Sequence, residues 1–354
     1  MIGVLTLHNA TNYGAILQTY ALQHVLDDMG IENEVVSYEC PKITKQHQIR
    51  MKWWNPLGYE IKKRTKNRFH FFFLNNIRHS EVVRELLPSA HYDTYLVGSD
   101  QVWNMNLTGN DMTYFLENLP SGVPKYSYAA SMGNYRFTDK TLQERCFACL
   151  DTFTGISVRE QSLAGYLSDG MVHRQQRKIE VHPDPVLLLD RNEWEKLAKH
   201  TQKGKYILLY MIGRNYELIQ KAQILSKEMG IPVLWASDSL RHYRYVKNVR
   251  CSSPEEFVGL FEDSFYVVTN SFHGTAFSIL FQKPFLTTAV HEGKRMERIA
   301  DLMDALGLTT YCGNDCTAQA ALSPDWNKVE EKLLMMKVNA INYLGNLKKG
   351  DGIC

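Results

Sequence analysis

The chain has 354 residues, 44% hydrophobic and 22% charged, the make-up of a folded globular protein rather than a disordered or fibrous one. That length exceeds what one hydrophobic core usually serves, so two domains are expected. A formal net charge of +2 argues against nucleic acid as a general partner, and no run reaches the roughly 18 apolar residues of a membrane span.

The start, MIGVLTLHNATNYG, has neither a basic stretch nor an apolar run ending in small residues, so no secretion signal is expected and the protein is placed in the cytoplasm. Residues 2–7 form a strand candidate. A polar loop follows, then the amphipathic pattern AILQTYALQHVLDDMG, which Gly30 is expected to stop. IENEVVSYE is a second strand, so the chain opens on a strand–helix–strand unit with a right-handed crossover.

Residues 42–84 stand apart, with eleven Lys or Arg against Glu60 and Glu81, a local excess of 11 − 2 = +9. Trp53, Trp54, Tyr59, Phe69, Phe71, Phe72 and Phe73 are interleaved. This mixture suits an anionic membrane surface, a polyanionic glycan or a lipid-linked acceptor. It equally suits a solvated basic helix whose aromatic rings pack inward.

Further strands are expected at residues 95–99, 126–131, 155–159, 206–212, 232–237 and 266–270, with helical patterns between most of them. Such alternation signals parallel sheets with helices on both faces. The polar stretch 177–206, with Pro183 and Pro185, reads as a junction, so two sheets fit better than one. The expected division is an N-terminal Rossmann-like domain over 1–190, carrying the basic insert, and a second over 200–322. A helix within 323–354 then crosses back to the first.

Ligands of open parallel sheets bind beyond the carboxyl ends of the strands, and the residues there are polar. They include Asn12, Tyr13 and Gly14, then Ser99, Asp100, Gln101, Trp103 and Asn104, then Ser131, then Arg159, and finally Asn270, Ser271, His273, Gly274 and Thr275. In the last group a strand leads in and a helix leads out. Backbone N–H groups at a helix start attract anions, Gly274 allows close approach, and His273 is placed to exchange a proton. A capped structural histidine is the other reading. Arg159 suits a carboxylate or phosphate clamp or a salt bridge to a neighbouring acid. Asp100 suits a general base or an Asx turn. Lys294, Arg295 and Arg298 add positive charge, or form a solvated helix start. Seven cysteines without a secretion signal imply reduced thiols. Cys146 and Cys149, with Cys312 and Cys316, form either a metal site or, for the first pair, simple helix packing. No zinc-finger spacing accompanies them, and no metal is expected.

Taken in order, LHNATNYGAILQTYALQ, LVGSDQVWN, YSYAASMG, ISVREQS, HPDPVLLL, SPEEF and VVTNSFHGTAFSILFQKPF resemble the polysaccharide pyruvyl transferase family over roughly residues 4–310. The resemblance implies an α/β fold of two Rossmann-like domains, GT-B-like, with a cleft between them. It implies phosphoenolpyruvate as donor, no cofactor, and a pyruvate ketal formed on two hydroxyls of a sugar, oligosaccharide or lipid-linked saccharide for a capsule or exopolysaccharide. Peripheral contact with the inner face of the membrane would accompany a lipid-linked acceptor. The family's mid-chain arginine matches Arg159 and its late histidine matches His273. Asp100 is the second catalytic candidate, while Ser271, Gly274, Thr275, Lys294 and Arg298 join Arg159 at the donor. Relatives can carry arginine where this chain has Ser271, so Lys294 or Arg298 is expected to substitute. A GT-B glycosyltransferase using a nucleotide sugar and a non-catalytic glycan-binding protein are the competing readings.

Overall fold

A strand buried on both faces reads as an unbroken apolar run, and the runs IGVL, TYLV, ILLY, VLWA and YVVT all become strands buried at every position. The computed structural model describes residues 1–49, 51, 54–86, 91–120, 122–171, 178–251, 253–288, 290–291, 294–311 and 324–348. The chain divides into two compact units, one of residues 1–48, 73–188 and 334–354, the other of residues 49–72 and 189–333.

In chain order the first part runs β1 (Ile2–Leu5), α1 (Tyr13–Asp28), β2 (Asn33–Val35), α2 (Pro41–Gln46), α3 (Pro56–Asn76), β3 (Thr94–Val97), α4 (Met105–Thr108), β4 (Lys125–Ser127), α5 (Lys140–Leu150), β5 (Ile156–Val158), α6 (Gln161–Met171) and β6 (Ile179–Val181). Strands pair in the order β2-β1-β3-β4, all parallel, and β5 pairs with β6. Bridges Tyr126↔Gly155 and Ala130↔Val158 join the two groups. Between them β4 carries one residue more than β5, a bulge centred on Ala129, whose φ is +46°. That bulge ends β4 earlier than the apolar pattern suggests. Helix α1 starts because the Asn12 side chain accepts from the N–H groups of Gly14 and Ala15, and Gly30, at φ +64°, follows its end.

The second part runs α7 (Arg191–Leu197), β7 (Ile207–Tyr210), α8 (Tyr216–Met229), β8 (Val233–Ala236), β9 (Val246–Val249), α9 (Pro254–Asp263), β10 (Tyr266–Thr269), α10 (Phe272–Leu280), β11 (Phe285–Thr287), β12 (Val290–His291), β13 (Lys294–Arg295), α11 (Glu297–Leu306) and α12 (Trp326–Gly345). Its parallel sheet has the order β11-β10-β7-β8-β9. The α/β class with parallel sheets is therefore as expected. Strands β6, β9 and β11 were not expected. The stretch 177–206 is more than a polar junction, since it supplies β6, α7 and the buried Asp184. Among the described residues, no helix is long and apolar enough to cross a membrane.

The basic helix α3 is amphipathic. Ile61, Thr65, Phe69 and Phe72 are buried, while Lys62, Lys63, Arg64, Lys66 and Arg68 are exposed. Residues 49–72 belong to the second unit although they interrupt the first in sequence, and the Thr65 hydroxyl donates to Asp238 at 2.7 Å. Arg50, Lys52 and Trp53 lie outside the described residues.

Two buried histidines shape the first unit. His8 stacks on Phe73 at 5.0 Å. His182 packs with the rings of Tyr128 and Tyr343 in a three-ring cluster, and its Nδ1 shares a 2.8 Å hydrogen bond with the Ser157 hydroxyl. Burial lowers each pKa from 6.5 to about 4. Between those values the unfolded chain binds protons that the folded chain refuses. The stability these histidines permit is thus complete above pH 6.5 and falls as pH drops towards 4, by about 1.4 kcal/mol per pH unit for each ring. Urea midpoints across this range should fall steeply, and less steeply in His182→Gln. Equal slopes in wild type and variant would remove His182 from the account.

Candidate active site

The carboxyl ends of β3, β4, β5 and β6 carry a tightly bonded polar cluster. Arg159 Nη2 lies 2.8 Å from Asp184 Oδ2, with side chains 2% and 0% exposed, and donates to Ser99 Oγ at 2.5 Å. Ser99 Oγ donates in turn to Asp184 Oδ2 at 3.1 Å. The other carboxylate oxygen accepts from the Val186 N–H at 2.9 Å, fixed by the Pro-Asp-Pro turn. Ser131 Oγ donates to Glu160 Oε1 at 2.5 Å and accepts from the Gly133 N–H at 2.9 Å. The arginine expected as an anion clamp thus has an acid partner, the alternative left open for it.

Asp100 is buried and sits at φ +74°. A residue other than glycine held there costs roughly 1–3 kcal/mol, and such outliers gather at functional sites. Its carbonyl accepts from the N–H groups of Val102 and Ser131, so the strain is maintained by the adjoining strand end. Gln101 accepts from Asn104 at 2.8 Å, and Asn104 caps α4. Asn12 caps α1, whose first residues are Tyr13 and Gly14. Trp103 corrects the expectation that it lines a site. It is fully enclosed, donates to the Tyr114 carbonyl at 2.9 Å and packs on Phe115 and Phe153. Its polar sequence neighbours disguise a core residue.

The second cluster lies where β10 passes into α10. Ser271 caps the helix, accepting from the Gly274 N–H at 3.3 Å. Thr275 Oγ1 donates to the Ser271 carbonyl at 3.0 Å and lies 2.8 Å from Thr287 Oγ1. Asn270 clamps the backbone after β7 through Ile212 N–H and C=O, at 2.8 and 3.1 Å. A Cβ at Gly274 would press on Thr269 Oγ1 and stand 3.1 Å from the Tyr210 ring. Only glycine lets α10 come this close to the sheet. His273 is therefore held in the first helical turn, 7% exposed, edge-on to Phe272 at 5.2 Å. Arg298 stands 6.0 Å from the Phe272 ring on the same unit, and burial raises the Tyr210 pKa above its ordinary value. Lys294 and Arg295 form β13 rather than a helix start, and their side chains lie outside the described residues.

Asp184 and Tyr210 carry weight that the sequence pattern did not assign them, whereas Glu160 already stood beside Arg159 at a polar strand end. An acid between two prolines was the visible signal for Asp184. Among the described residues no group of three His, Cys, Asp or Glu is placed to hold a metal. Cys146 and Cys149 are free thiols on α5, raised by burial to about 12 and about 11, so neither offers a thiolate at neutral pH. Cys312 and Cys316 lie outside the described residues.

The family model described as polysaccharide pyruvyl transferase matches residues 12–292. No curated protein matches the chain. Among solved structures the chain is similar to UDP-GlcNAc 2-epimerase from Methanocaldococcus jannaschii, at 10% identity and TM-score 0.46 over 95% of this chain and 92% of that one. It is similar to UDP-GlcNAc 2-epimerase from Neisseria meningitidis bound to UDP-GlcNAc, at 12% identity and TM-score 0.47 over 94% and 99%. It is also similar to Phytolacca americana UGT2 complexed with UDP-2fluoro-glucose and pterostilbene, at 10% identity and TM-score 0.48 over 96% and 94%. Likeness at this level carries no inference about ligands.

Removing the charge of Asp184 should leave the Arg159 guanidinium buried and uncompensated. Asp184→Asn is expected to lower unfolding free energy by about 3–5 kcal/mol, measured by urea denaturation. An unchanged midpoint would show that the pair carries no structural load.

Proposed function

The chain belongs to the polysaccharide pyruvyl transferase family, and from that premise we propose that it transfers pyruvate from phosphoenolpyruvate to two hydroxyls of a saccharide, with His273 as the proton-transferring residue. The observation that carries this is the placement of His273 in the first turn of α10, directly beyond a parallel strand and locked by Ser271, Gly274 and Thr275. Family membership makes the protein a transferase of polysaccharide biosynthesis.

The chemistry balances without a metal or organic cofactor. One sugar hydroxyl adds to C2 of phosphoenolpyruvate while C3 gains a proton. The bond from C2 to the phosphate oxygen then breaks, and a second hydroxyl closes on C2, losing its proton. The products are the ketal and inorganic phosphate. A histidine exchanges protons near neutral pH, and the helix start beside it favours the phosphate's negative charge. Ser271, Gly274, Thr275 and Arg298 are assigned to the donor on this unit, with Lys294 as a further cation. Arg159 is assigned a carboxylate or phosphate of the donor, its plane held by Asp184 and Ser99, and Asp100 is the alternative proton carrier. The acceptor is a sugar, an oligosaccharide or a lipid-linked saccharide.

Purified protein with phosphoenolpyruvate and galactosyl, mannosyl or N-acetylmannosamine acceptors should release phosphate only when an acceptor is present. Nucleoside diphosphate release from a sugar nucleotide would favour glycosyl transfer instead. In His273→Ala kcat should fall by about 10²–10⁴ while the fold persists, and His273→Gln should retain donor binding without the rate. An unchanged kcat would move the proton to another group. Arg159→Lys should raise the donor KM because a point charge does not replace the planar fork. A normal KM would confine Arg159 to its pairing with Asp184.

A further inference from the structure

Within the second unit, one face of α3 and the loops after β8 and β9 enclose a cavity of about 790 Å³. Neither catalytic candidate lines it. Its walls include Arg64, Thr65, Arg68 and Phe71 from α3, Asp238 from the loop after β8, and Arg250 directly after β9. Strands β8 and β9 are parallel neighbours,, so the cavity opens at their carboxyl ends, where α/β sheets bind ligands. Arg64 and Arg68 are one helical turn apart and project together.

The charges in this cavity are poorly matched by the protein itself. Among the described residues, none of Arg64, Arg68 and Arg250 makes an ion pair. The single carboxylate, Asp238, accepts from the Thr65 hydroxyl through Oδ2. Its Oδ1 is shielded from solvent and accepts no hydrogen bond among the described residues. Burial raises the Asp238 pKa above its ordinary value, opposed by the Thr65 hydrogen bond and by the charges of Arg250 and Lys62. Three guanidinium groups suit phosphate oxygens. A carboxylate among these cations suits a sugar hydroxyl, since it would repel a purely anionic ligand. Phe71, 65% exposed, offers an apolar face of the kind that packs on a sugar ring.

We infer that this cavity binds the phosphorylated end of a saccharide, with Arg64, Arg68 and Arg250 on the phosphate and Asp238 on a ring hydroxyl. The inference rests on the proposed saccharide-modifying reaction and names the acceptor class: a sugar carried on phosphate, whether free or lipid-linked. A flat anionic membrane surface fits less well, because the recessed carboxylate would face its negative headgroups.

The test is direct binding without phosphoenolpyruvate, so it stands or falls separately from pyruvyl transfer. Titration calorimetry with galactose 1-phosphate, mannose 1-phosphate, the two unphosphorylated sugars and inorganic pyrophosphate should show binding of at least one sugar phosphate. The free sugars should bind at least tenfold more weakly. The Arg64→Ala/Arg68→Ala variant, altered at exposed helix positions, should lose at least tenfold in sugar-phosphate affinity. Asp238→Asn should bind pyrophosphate at least as well as wild type while losing the preference for the sugar-bearing ligand. Vesicles of phosphatidylglycerol and phosphatidylcholine, with and without a polyprenyl-phosphate sugar, distinguish the two sources of the ligand. Retention on the sugar-lipid vesicles alone supports the lipid-linked form. Equal retention on both vesicles, absence of sugar-phosphate binding, or binding indifferent to the double substitution would overturn the inference. Acceptor-dependent phosphate release that persists after such a failure would leave the transferase reading standing with its acceptor site elsewhere.

Discussion

Burying an arginine beside an aspartate removes two charges from water, and their attraction repays that loss only when geometry and additional hydrogen bonds are right. The Asp184 carboxylate meets those conditions. Ser99 bonds to it and to Arg159, and a backbone N–H completes the carboxylate. The three residues come from the ends of different strands, so the pair specifies which strand end lies beside which. Glu160 follows Arg159 directly and takes the Ser131 hydroxyl. Asp100 is held in its strained conformation by the same sheet edge.

In the other unit the passage from β10 into α10 is fixed differently. Its constraint is steric: the absence of a side chain at Gly274 lets α10 settle on Tyr210 and Thr269. Short hydroxyl contacts from Ser271 to Thr275 and on to Thr287 then bind helix start, strand end and neighbouring strand together. His273 stands on a helix rather than on a loose loop, which suits a group that must meet a reacting atom within a fraction of an ångström.

The sheets were legible because parallel strands covered on both faces leave unbroken apolar runs. The same logic explains what escaped notice. Strand β6 is only partly covered and β9 buries only its two end residues, Val246 and Val249, so neither leaves such a run. The bulge in β4 turns on Ala129, a residue type that announces no special backbone. The strand-to-helix passage around His273 was visible because strand, turn and helix signals are local. Asp184 was not, since its meaning depends on β5 and β6 lying side by side. Trp103 was misread for the related reason that burial is decided by distant packing against Phe115 and Phe153.

Tyr343 on α12 donates to the Ser127 carbonyl at 2.8 Å across a separation of 216 residues, and its ring lies against His182. This contact has a consequence for biosynthesis. At a synthesis rate of about 5–20 residues per second, the end of β4 waits on the order of 10–40 s for its tyrosine. The segment at residues 189–333, the larger part of the second unit, is translated within that interval. The aromatic layer of Tyr128, His182 and Tyr343 therefore closes only after most of the second unit has been made.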